Sequence, residues 1–293
     1  MSKAADAEDA ERDLWGTRIE RVPTLGRRLL RVVGARHLAP RYRRITFRAE
    51  DLHDGFPFRA FAPSDHVKLF FPDPLSGRLA FPVVTDHGWH VPPELGTPIF
   101  RDYTVRGYER EAGELTIDFV VHPHGIAGSW AARARPGDEI GQLGPRGNIL
   151  FPTDYPHYLA AGDETALPAI MRVLEEAPIG SRVTAVVEVD GAADEQPLDV
   201  RDGVDADIRW VHRIGARVVG GGCSPLETAI RSVPLPGSEP AFVFVAGEAT
   251  ALTPIRRYLR RELGLAKVRV DVDGYWKQGV TNLDHHAELD DDS

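Results

Sequence analysis

The feature that most constrains the fold of this chain is a change of rhythm near residue 155. Before that point, short runs in which apolar and polar residues alternate lie close together, at residues 43–48, 66–71, 99–106 and 115–121. Turn sequences rich in proline and glycine separate these runs. Many short strands at close spacing are typical of a small antiparallel barrel, so we predict a barrel for the first half of the chain.

After residue 155, apolar strands alternate with helical patterns, which predicts a parallel sheet with helices on its faces. Strands are expected at residues 158–161, 182–189, 207–211, 241–246 and 268–272. A helix is expected to follow the first of these strands as far as about Glu176, with Asp163 or Thr165 as its cap and Pro168 in its first turn. A second helix is expected to end at Gly264, where a C-cap glycine belongs.

The fold class expected for the 293-residue chain is therefore β followed by α/β. We expect a flexible N-terminal arm at residues 1–28 and a cofactor-binding β-barrel domain at residues 29–155. We expect a nucleotide-binding α/β domain at residues 156–280 and an acidic C-terminal tail at residues 281–293.

Composition excludes several classes of protein. A net charge of −9 disfavours a nucleic-acid partner, and the chain has no run of about 18 apolar residues that would span a membrane. The single cysteine makes a thiolate cluster improbable, and the paired histidines lack further ligands, so no protein metal site is expected. No secretory signal is visible at the start of the sequence. We expect a monomer in the cytoplasm.

One group of residues is suited to binding a nucleotide-linked ring. Arg-Asp-Tyr-Thr-Val stands at residues 101–105 on a predicted strand, and a glycine-rich helix start follows at residues 125–131. An aromatic ring and a hydroxyl can contact a flavin, while an arginine and free backbone N–H groups can bind its pyrophosphate. These residue types in this order indicate a flavin-nucleotide cradle, and hence a protein that transfers electrons.

Several separated motifs, which together span residues from about 29 to 280, resemble the siderophore-interacting protein family of the ferredoxin–NADP reductase superfamily. They are Arg-Asp-Tyr-Thr at 101–104, Gly-Asp-Glu-Thr-Ala-Leu-Pro-Ala-Ile at 162–170, Trp-Val-His-Arg at 210–213, Ala-Gly-Glu-Ala at 246–249 and Gly-Tyr-Trp-Lys-Gln-Gly at 274–279. The resemblance implies that FAD binds the barrel and a nicotinamide nucleotide binds the sheet. It also implies the activity of a ferric-siderophore reductase.

The resemblance further implies an FAD site in the first domain. Arg101 is expected to bind the pyrophosphate, and Tyr103 and Thr104 are the expected catalytic residues, in contact with the flavin and near its N5 atom. The other cofactor-binding residues expected there are Val105, Val121, His122, Gly125, Ala127, Gly128, Ser129 and Trp130. The family usually has Gly-Pro-Ala-Ser-x-Trp-Ala at this loop, and here Ile126 and Gly128 replace the proline and the serine.

In the second domain, two strand-to-helix turns are expected to bind the cofactors, because ligands bind at the carboxyl ends of strands in such sheets. The residues expected to take part are Gly162, Asp163, Glu164, Thr165, Gly247, Glu248, Ala249 and Trp276. A G-x-G-x-x-G sequence is absent, so this is not a standard Rossmann site. Glu188 and Asp190 favour NADH because they would repel a 2′-phosphate, whereas Arg213 would attract it, and both NADH and NADPH stay open.

Lys68, Arg146 and Lys277 are the residues expected to contact an anionic ferric complex, and the alternative for each is a solvated surface cation. The alternative for His122 is a structural histidine. The alternative for Glu248 is a carboxylate that is favoured at a helix N-terminus by the helix dipole.

We expect hydride transfer from NAD(P)H to FAD, followed by single-electron transfer to Fe(III) held by a siderophore, which releases Fe(II). Two alternatives stay open: a flavin reductase that serves another acceptor, and a non-catalytic ferric-siderophore binding protein. A ferredoxin is also a possible electron donor.

Overall fold

The computed structural model describes residues 16–85, 88–122, 125–214, 223–235 and 240–280. The chain divides into two compact units, one of which is Ile19–Ile149, while the other contains the chain from Leu150 onwards. The predicted acidic tail at 281–293 and residues 1–15 of the predicted arm lie outside the described residues.

An antiparallel sheet forms the first unit, and its seven strands follow the order β7-β4-β10-β2-β3-β9-β8. The strands of this part of the chain are β1 (Arg18–Arg21), β2 (Arg27–Ala39), β3 (Tyr42–Arg48), β4 (His66–Phe71), β5 (Val83–Thr85), β6 (Gly88–His90), β7 (Ile99–Thr104), β8 (Gly107–Glu109), β9 (Glu114–Val120), β10 (Glu139–Leu143) and β11 (Gly147–Leu150). Helix α1 (Ile126–Arg133) follows β9.

The sheet curls around an apolar core because alternate residues of its strands are apolar. Val67, Leu69 and Phe71 of β4 all belong to this core, as period-two alternation requires. Tyr103 of β7 and Phe119 of β9 come from strands far apart in the sheet order, yet their ring centroids lie 4.5 Å apart. This contact closes the curled sheet around its core and confirms the predicted antiparallel β domain.

The predicted arm differs from the structure at its C-terminal end. Strand β1 pairs with β11, and the N–H of Val22 donates a hydrogen bond of 3.0 Å to the carbonyl of Arg146. Strand β2 already begins at Arg27. The charged sequence of this segment suggested an arm, but backbone pairing, which does not depend on side-chain polarity, holds residues 18–22 against the domain.

A five-stranded parallel sheet forms the second unit, in the order β14-β13-β12-β15-β16. Its strands are β12 (His157–Asp163), β13 (Arg182–Val189), β14 (Asp205–His212), β15 (Ala241–Glu248) and β16 (Val270–Trp276). Its helices are α2 (Leu167–Glu176), α3 (Pro225–Arg231) and α4 (Ala249–Arg257), and α4 continues as a π-helical turn at Tyr258–Glu262. None of the helices in the described residues has the length and hydropathy needed to cross a membrane.

The central strands β12 and β15 are buried along almost their whole length, as strands covered on both faces are. On one face, Val243 and Val245 of β15 pack with Leu252, Ile255 and Leu259 from the helix that follows. The parallel sheet with packed helices confirms the predicted α/β domain.

Three of four expectations about the ends of helices are confirmed. Pro168 lies in the first turn of α2, α2 ends at Glu176, and Gly264 follows the last helical turn with a φ of 65°. The predicted cap of α2 is wrong: Ala166 is the N-cap residue, and no side chain caps the helix. The carboxylate of Asp163 is unavailable as a cap because other groups bind it.

Candidate functional site

The N-terminal turn of α1 is suited to binding an anion. Gly125 precedes the helix with a φ of 92°, a conformation that favours glycine, and as the N-cap residue it has no side chain to cap the helix. The backbone N–H groups of the first turn, including those of Ala127 and Gly128, therefore lack an intrahelical acceptor. These N–H groups and the positive end of the helix dipole fit the pyrophosphate of a dinucleotide such as FAD.

The imidazole of His122 packs directly against this turn. A Cβ atom added to Gly128 would lie 2.9 Å from both Cδ2 and Nε2 of His122, and one added to Gly125 would lie 3.1 Å from Cε1. The glycine in place of the usual family serine is thus explained by the ring that occupies the space beside it. The ring of His122 therefore packs against the start of α1, a contact that the sequence alone did not indicate.

Trp130 anchors α1 to the barrel core. Its ring stacks on Phe47 with a centroid separation of 6.4 Å and an interplanar angle of 12°. It also contacts the rings of Phe71 at 5.5 Å and Phe119 at 6.1 Å. These ring contacts hold α1 against the barrel core. The cofactor role expected for Trp130 stays a prediction.

Arg43 holds the other end of α1, and the sequence analysis did not single it out. Its guanidinium donates hydrogen bonds to the carbonyl oxygens of Ala131, at 2.5 Å, and of Ala134, at 2.8 Å. A cation at a helix C-terminus is favoured by the dipole and satisfies carbonyls that have no intrahelical partner. The only sequence signal for this contact is an arginine on β3 at a position that faces the core.

Strand β7 lies beside α1 and carries the expected flavin residues. Tyr103 packs on the rings of Phe119 and Phe71, and desolvation raises the pKa of its phenol, so that the hydroxyl stays protonated and can donate a hydrogen bond. Arg101 is half-buried and donates to the carbonyl of Phe100 at 2.6 Å. Thr104 is buried at the end of the strand.

Val105 and Val121, which follow β7 and β9, are held by backbone hydrogen bonds. The side chain of Val105 is fully buried in the barrel core, and its N–H donates to the carbonyl of Asp65 at 2.8 Å. The N–H of Val121 donates to the carbonyl of Arg41 at 2.8 Å.

In the second unit, the buried carboxylate of Asp163, at the end of β12, accepts hydrogen bonds from the ends of β15 and β16. Its Oδ1 accepts hydrogen bonds from the N–H of Thr165 at 2.8 Å and from the Thr165 hydroxyl at 2.5 Å. Its Oδ2 accepts from the N–H of Glu248 at 3.0 Å and from the indole of Trp276 at 2.8 Å. Burial, and then the charge of Glu164, raises the pKa of Asp163, and the hydrogen bonds from Thr165 and Trp276 oppose that shift.

The glycines of these turns are explained by contacts inside the sheet. A Cβ atom at Gly162 would lie 2.1 Å from the carbonyl oxygen of Ala246 and 2.5 Å from Cβ of Ala166. Gly247 has a φ of 150°, and a Cβ atom there would lie 2.8 Å from Oδ2 of Asp163. Close packing of β12 against β15 requires both glycines, whether or not a nucleotide also approaches them.

Glu248 joins α4 to the turn after β16. Its Oε2 accepts a hydrogen bond of 2.7 Å from the N–H of Ala251, which makes Glu248 the N-cap of the helix, and Ala249 is the first helical residue. Its Oε1 accepts from the N–H of Gln278 at 3.2 Å. The alternative interpretation of Glu248, as a carboxylate at a helix N-terminus, therefore describes what this side chain does.

The three cations expected to contact substrate differ in their surroundings. Nζ of Lys68 lies 2.9 Å from both carboxylate oxygens of Asp102, which neutralises its charge, and it belongs to the face of the sheet opposite Tyr103. Arg146 and Lys277 are exposed, and among the described residues neither side chain has an ion-pair partner. No group of three or more His, Cys, Asp or Glu side chains within the described ranges is arranged to hold a metal ion.

Comparison with known proteins matches both halves of the chain. The family described as "Siderophore-interacting FAD-binding domain" matches residues 31–149, and the family described as "Siderophore-interacting protein" matches residues 155–279.

The chain is 34% identical over 265 residues to the ferric vibriobactin reductase of Vibrio cholerae, which covers 89% of this chain and 93% of that protein. It is 33% identical over 254 residues to the NADPH-dependent ferric-chelate reductase of Escherichia coli, covering 85% of this chain and 92% of that protein.

The crystal structure of a siderophore utilization protein from T. fusca has 45% sequence identity and a TM-score of 0.81, with 92% of this chain and 100% of that chain covered. The matched segments extend over nearly the whole of both described units and include the turns and strands that carry the candidate site. This chain belongs to the siderophore-interacting protein family.

Proposed function

We propose that this protein is a ferric-siderophore reductase that uses FAD and NAD(P)H. The observation that carries the proposal is the glycine-initiated start of α1, packed beside β7 in a domain that matches the siderophore-interacting FAD-binding family. The curated relatives named as ferric reductases match this chain across both of its units, which supports the same activity here.

The bound FAD would accept a hydride from NAD(P)H and pass electrons one at a time to Fe(III) in the siderophore. The residues proposed to bind the pyrophosphate are Arg101 and the backbone N–H groups of the first α1 turn, with Ser129 as a further donor. Tyr103 supplies a protonated phenol against the flavin region, and Thr104 supplies a hydroxyl at the end of β7. None of these residues has to act as a general acid or base, because electron transfer to iron needs neither.

The nucleotide is proposed to bind at the carboxyl edge of the parallel sheet, where open α/β sheets bind their ligands. Asp163 and Glu248 would shape this edge, since their hydrogen bonds fix the turn after β12, the start of α4 and the indole of Trp276. Trp276 is 41% exposed although its N–H is bound, so a flat apolar surface is available there.

Arg146 and Lys277 are the cations proposed to contact an anionic ferric complex. Both are exposed, and among the described residues neither is paired with a carboxylate, whereas the charge of Lys68 is neutralised by Asp102. An ion pair at the surface contributes less than the roughly 1.4 kcal/mol that corresponds to a tenfold change in affinity. Removal of one such surface cation should therefore weaken binding less than tenfold.

The monomeric state, the cytoplasmic location and the alternative of a ferredoxin donor also stay proposals.

An anaerobic visible spectrum of the purified protein tests the function. We expect a flavin spectrum that bleaches with a nicotinamide nucleotide and returns when a ferric hydroxamate is added, with Fe(II) trapped by a chelator. Arg101→Ala should weaken FAD binding, and Arg36→Ala, which removes an exposed arginine on β2, is the matched control. A protein that does not take up FAD would refute the proposal and leave a ferric-siderophore binder; a flavin that reacts with a nucleotide but not with the ferric complex would indicate another acceptor.

A further inference from the structure

One arginine at the carboxyl edge of the parallel sheet is surrounded by three carboxylates. Arg213 directly follows β14, and its guanidinium lies 2.5 Å from Oε2 of Glu164, 3.2 Å from Oε2 of Glu188 and 2.5 Å from Oδ1 of Asp190. We call these four residues the Arg213 network. They come from the ends of three neighbouring strands, because Glu164 follows β12 and Glu188 and Asp190 lie at the end of β13.

The network leaves Arg213 unable to serve as an anion-binding residue. Nε donates to Glu188, Nη1 donates to Glu164 and Asp190, and Nη2 donates to Glu164, so every nitrogen of the guanidinium is in use. Bidentate recognition of a phosphate needs two free parallel N–H groups. Three negative charges against one positive charge leave a net charge of −2 on the network.

The position of the network matters because of how open α/β sheets bind nucleotides. In Rossmann sheets an acidic residue after the second strand accepts hydrogen bonds from the ribose hydroxyls of NADH, whereas an arginine nearby accommodates the 2′-phosphate of NADPH. This sheet lacks the G-x-G-x-x-G turn, but its strands follow the same spatial order. Glu188 and Asp190 end the second strand of this sheet in chain order, and Arg213, which would be the compensating cation, is already bound to them. The carboxylate side chains are only 12–21% exposed, so solvent screens them incompletely.

We infer that the Arg213 network selects NADH over NADPH, with Glu188 and Asp190 as the specificity-determining residues. The inference rests on the proposed function, and specifically on its use of a nicotinamide nucleotide.

At this edge of the sheet, His212 and Lys277 do not offset the network. Nε2 of His212, at the end of β14, is hydrogen-bonded to Oε1 of Glu195 at 2.6 Å. Lys277 follows β16, which is three strands away from β13 in the sheet order, or about 14 Å at the usual strand spacing. That distance exceeds the Debye length of about 8 Å at physiological ionic strength.

Binding of two nucleotide fragments to the FAD-loaded protein tests the inference. Titration calorimetry would compare ADP-ribose with its 2′-phosphorylated form, and anaerobic bleaching of the flavin would compare NADH with NADPH. We expect the unphosphorylated fragment to bind at least about tenfold more tightly, a difference of about 1.4 kcal/mol. The double variant Glu188→Gln/Asp190→Asn should reduce this ratio about tenfold or more, because it removes two of the three negative charges around Arg213 and weakens the hydrogen bonds that Nε and Nη1 donate to these two side chains.

Glu195→Gln is the matched control, since it removes a carboxylate from the same edge of the sheet without touching Arg213. It should leave the ratio unchanged.

A wild-type preference for the 2′-phosphorylated fragment would overturn the inference; the Escherichia coli relative is itself named as NADPH-dependent. So would a double variant with an unchanged ratio. In both cases the proposed function would stand. If neither fragment bound and neither nucleotide bleached the flavin, the inference and the nucleotide-dependent part of the proposed function would fail together.

Discussion

The contact between His122 and the start of α1 makes a quantitative prediction about the Gly128→Ala substitution. Gly128 has no positive φ that would exclude alanine, so only the neighbouring ring opposes the added methyl group. The new Cβ atom would lie 2.9 Å from Nε2 and Cδ2 of His122 and 3.2 Å from Cε1. Overpacking of this kind costs about 1–3 kcal/mol, whereas replacing glycine by alanine within a helix gains about 1 kcal/mol.

The sign of the effect should therefore depend on His122. With the histidine present, Gly128→Ala should lower the free energy of unfolding by about 0–2 kcal/mol, and in a His122→Ala background it should raise it by about 1 kcal/mol. The two substitutions should thus show a coupling of about 1–3 kcal/mol in a double-mutant cycle, which is expected of residues in contact.

Urea unfolding followed by fluorescence measures all four proteins of this cycle. The measurement should be made with and without FAD, because a ligand that binds only the native state adds to its stability. FAD titrations of the same proteins would show whether displacing the ring also disturbs the proposed pyrophosphate site. A coupling below about 0.5 kcal/mol would refute the reasoning, because it would mean that the imidazole does not occupy the space beside Gly128.

Three further predictions concern other residues of the two units. Arg43→Ala should weaken FAD binding about threefold to tenfold, because it frees the C-terminal end of α1, while Arg43→Lys should restore part of the affinity in the same fluorescence titration. Burial and, to a smaller extent, the charge of Asp273 raise the pKa of the Asp271 carboxyl to about 7. The native state therefore keeps a proton that the unfolded state releases, and the free energy of unfolding should fall as the pH rises from about 4 to about 7. Asp271→Asn should remove that slope and raise the melting temperature more at pH 8 than at pH 5, and an unchanged slope would contradict the assignment. Trp276→Phe removes a donor to the buried Asp163 carboxylate and should cost about 1.5–3 kcal/mol in urea unfolding, an effect that should largely disappear in an Asp163→Ala background.

Strands with clear alternation could be predicted closely from the sequence, and others could not. The pattern at residues 66–71 predicted β4 at its observed bounds, and the pattern at 182–189 predicted β13 equally well. The long strand β2 and the short helix α3 were not predicted, since β2 mixes arginines with apolar residues and α3 is only seven residues long. Where polar side chains interrupt the period, backbone pairing with neighbouring strands decides the structure.

For the candidate site, residue types could be predicted but partners could not. The sequence indicated that Asp163 and Glu248 lie at strand ends that face one crevice, because parallel strands bring their carboxyl ends to one edge of the sheet. It did not indicate that Asp163 would accept four hydrogen bonds, or that Glu248 would cap α4. Similarly, Lys68 was an expected substrate cation, but the antiparallel register places it directly opposite Asp102.

The sequence by itself determined the family and the order of the two folds, because alternation periods and separated motifs are local properties that survive without coordinates. Only the tertiary structure decided which charged side chains remain available to bind a ligand. Arg213 could be interpreted from the sequence as a phosphate-binding residue, yet three carboxylates brought together by strands β12 and β13 bind its guanidinium. The charge of a site depends on distances between segments far apart in the chain, and only folding sets those distances.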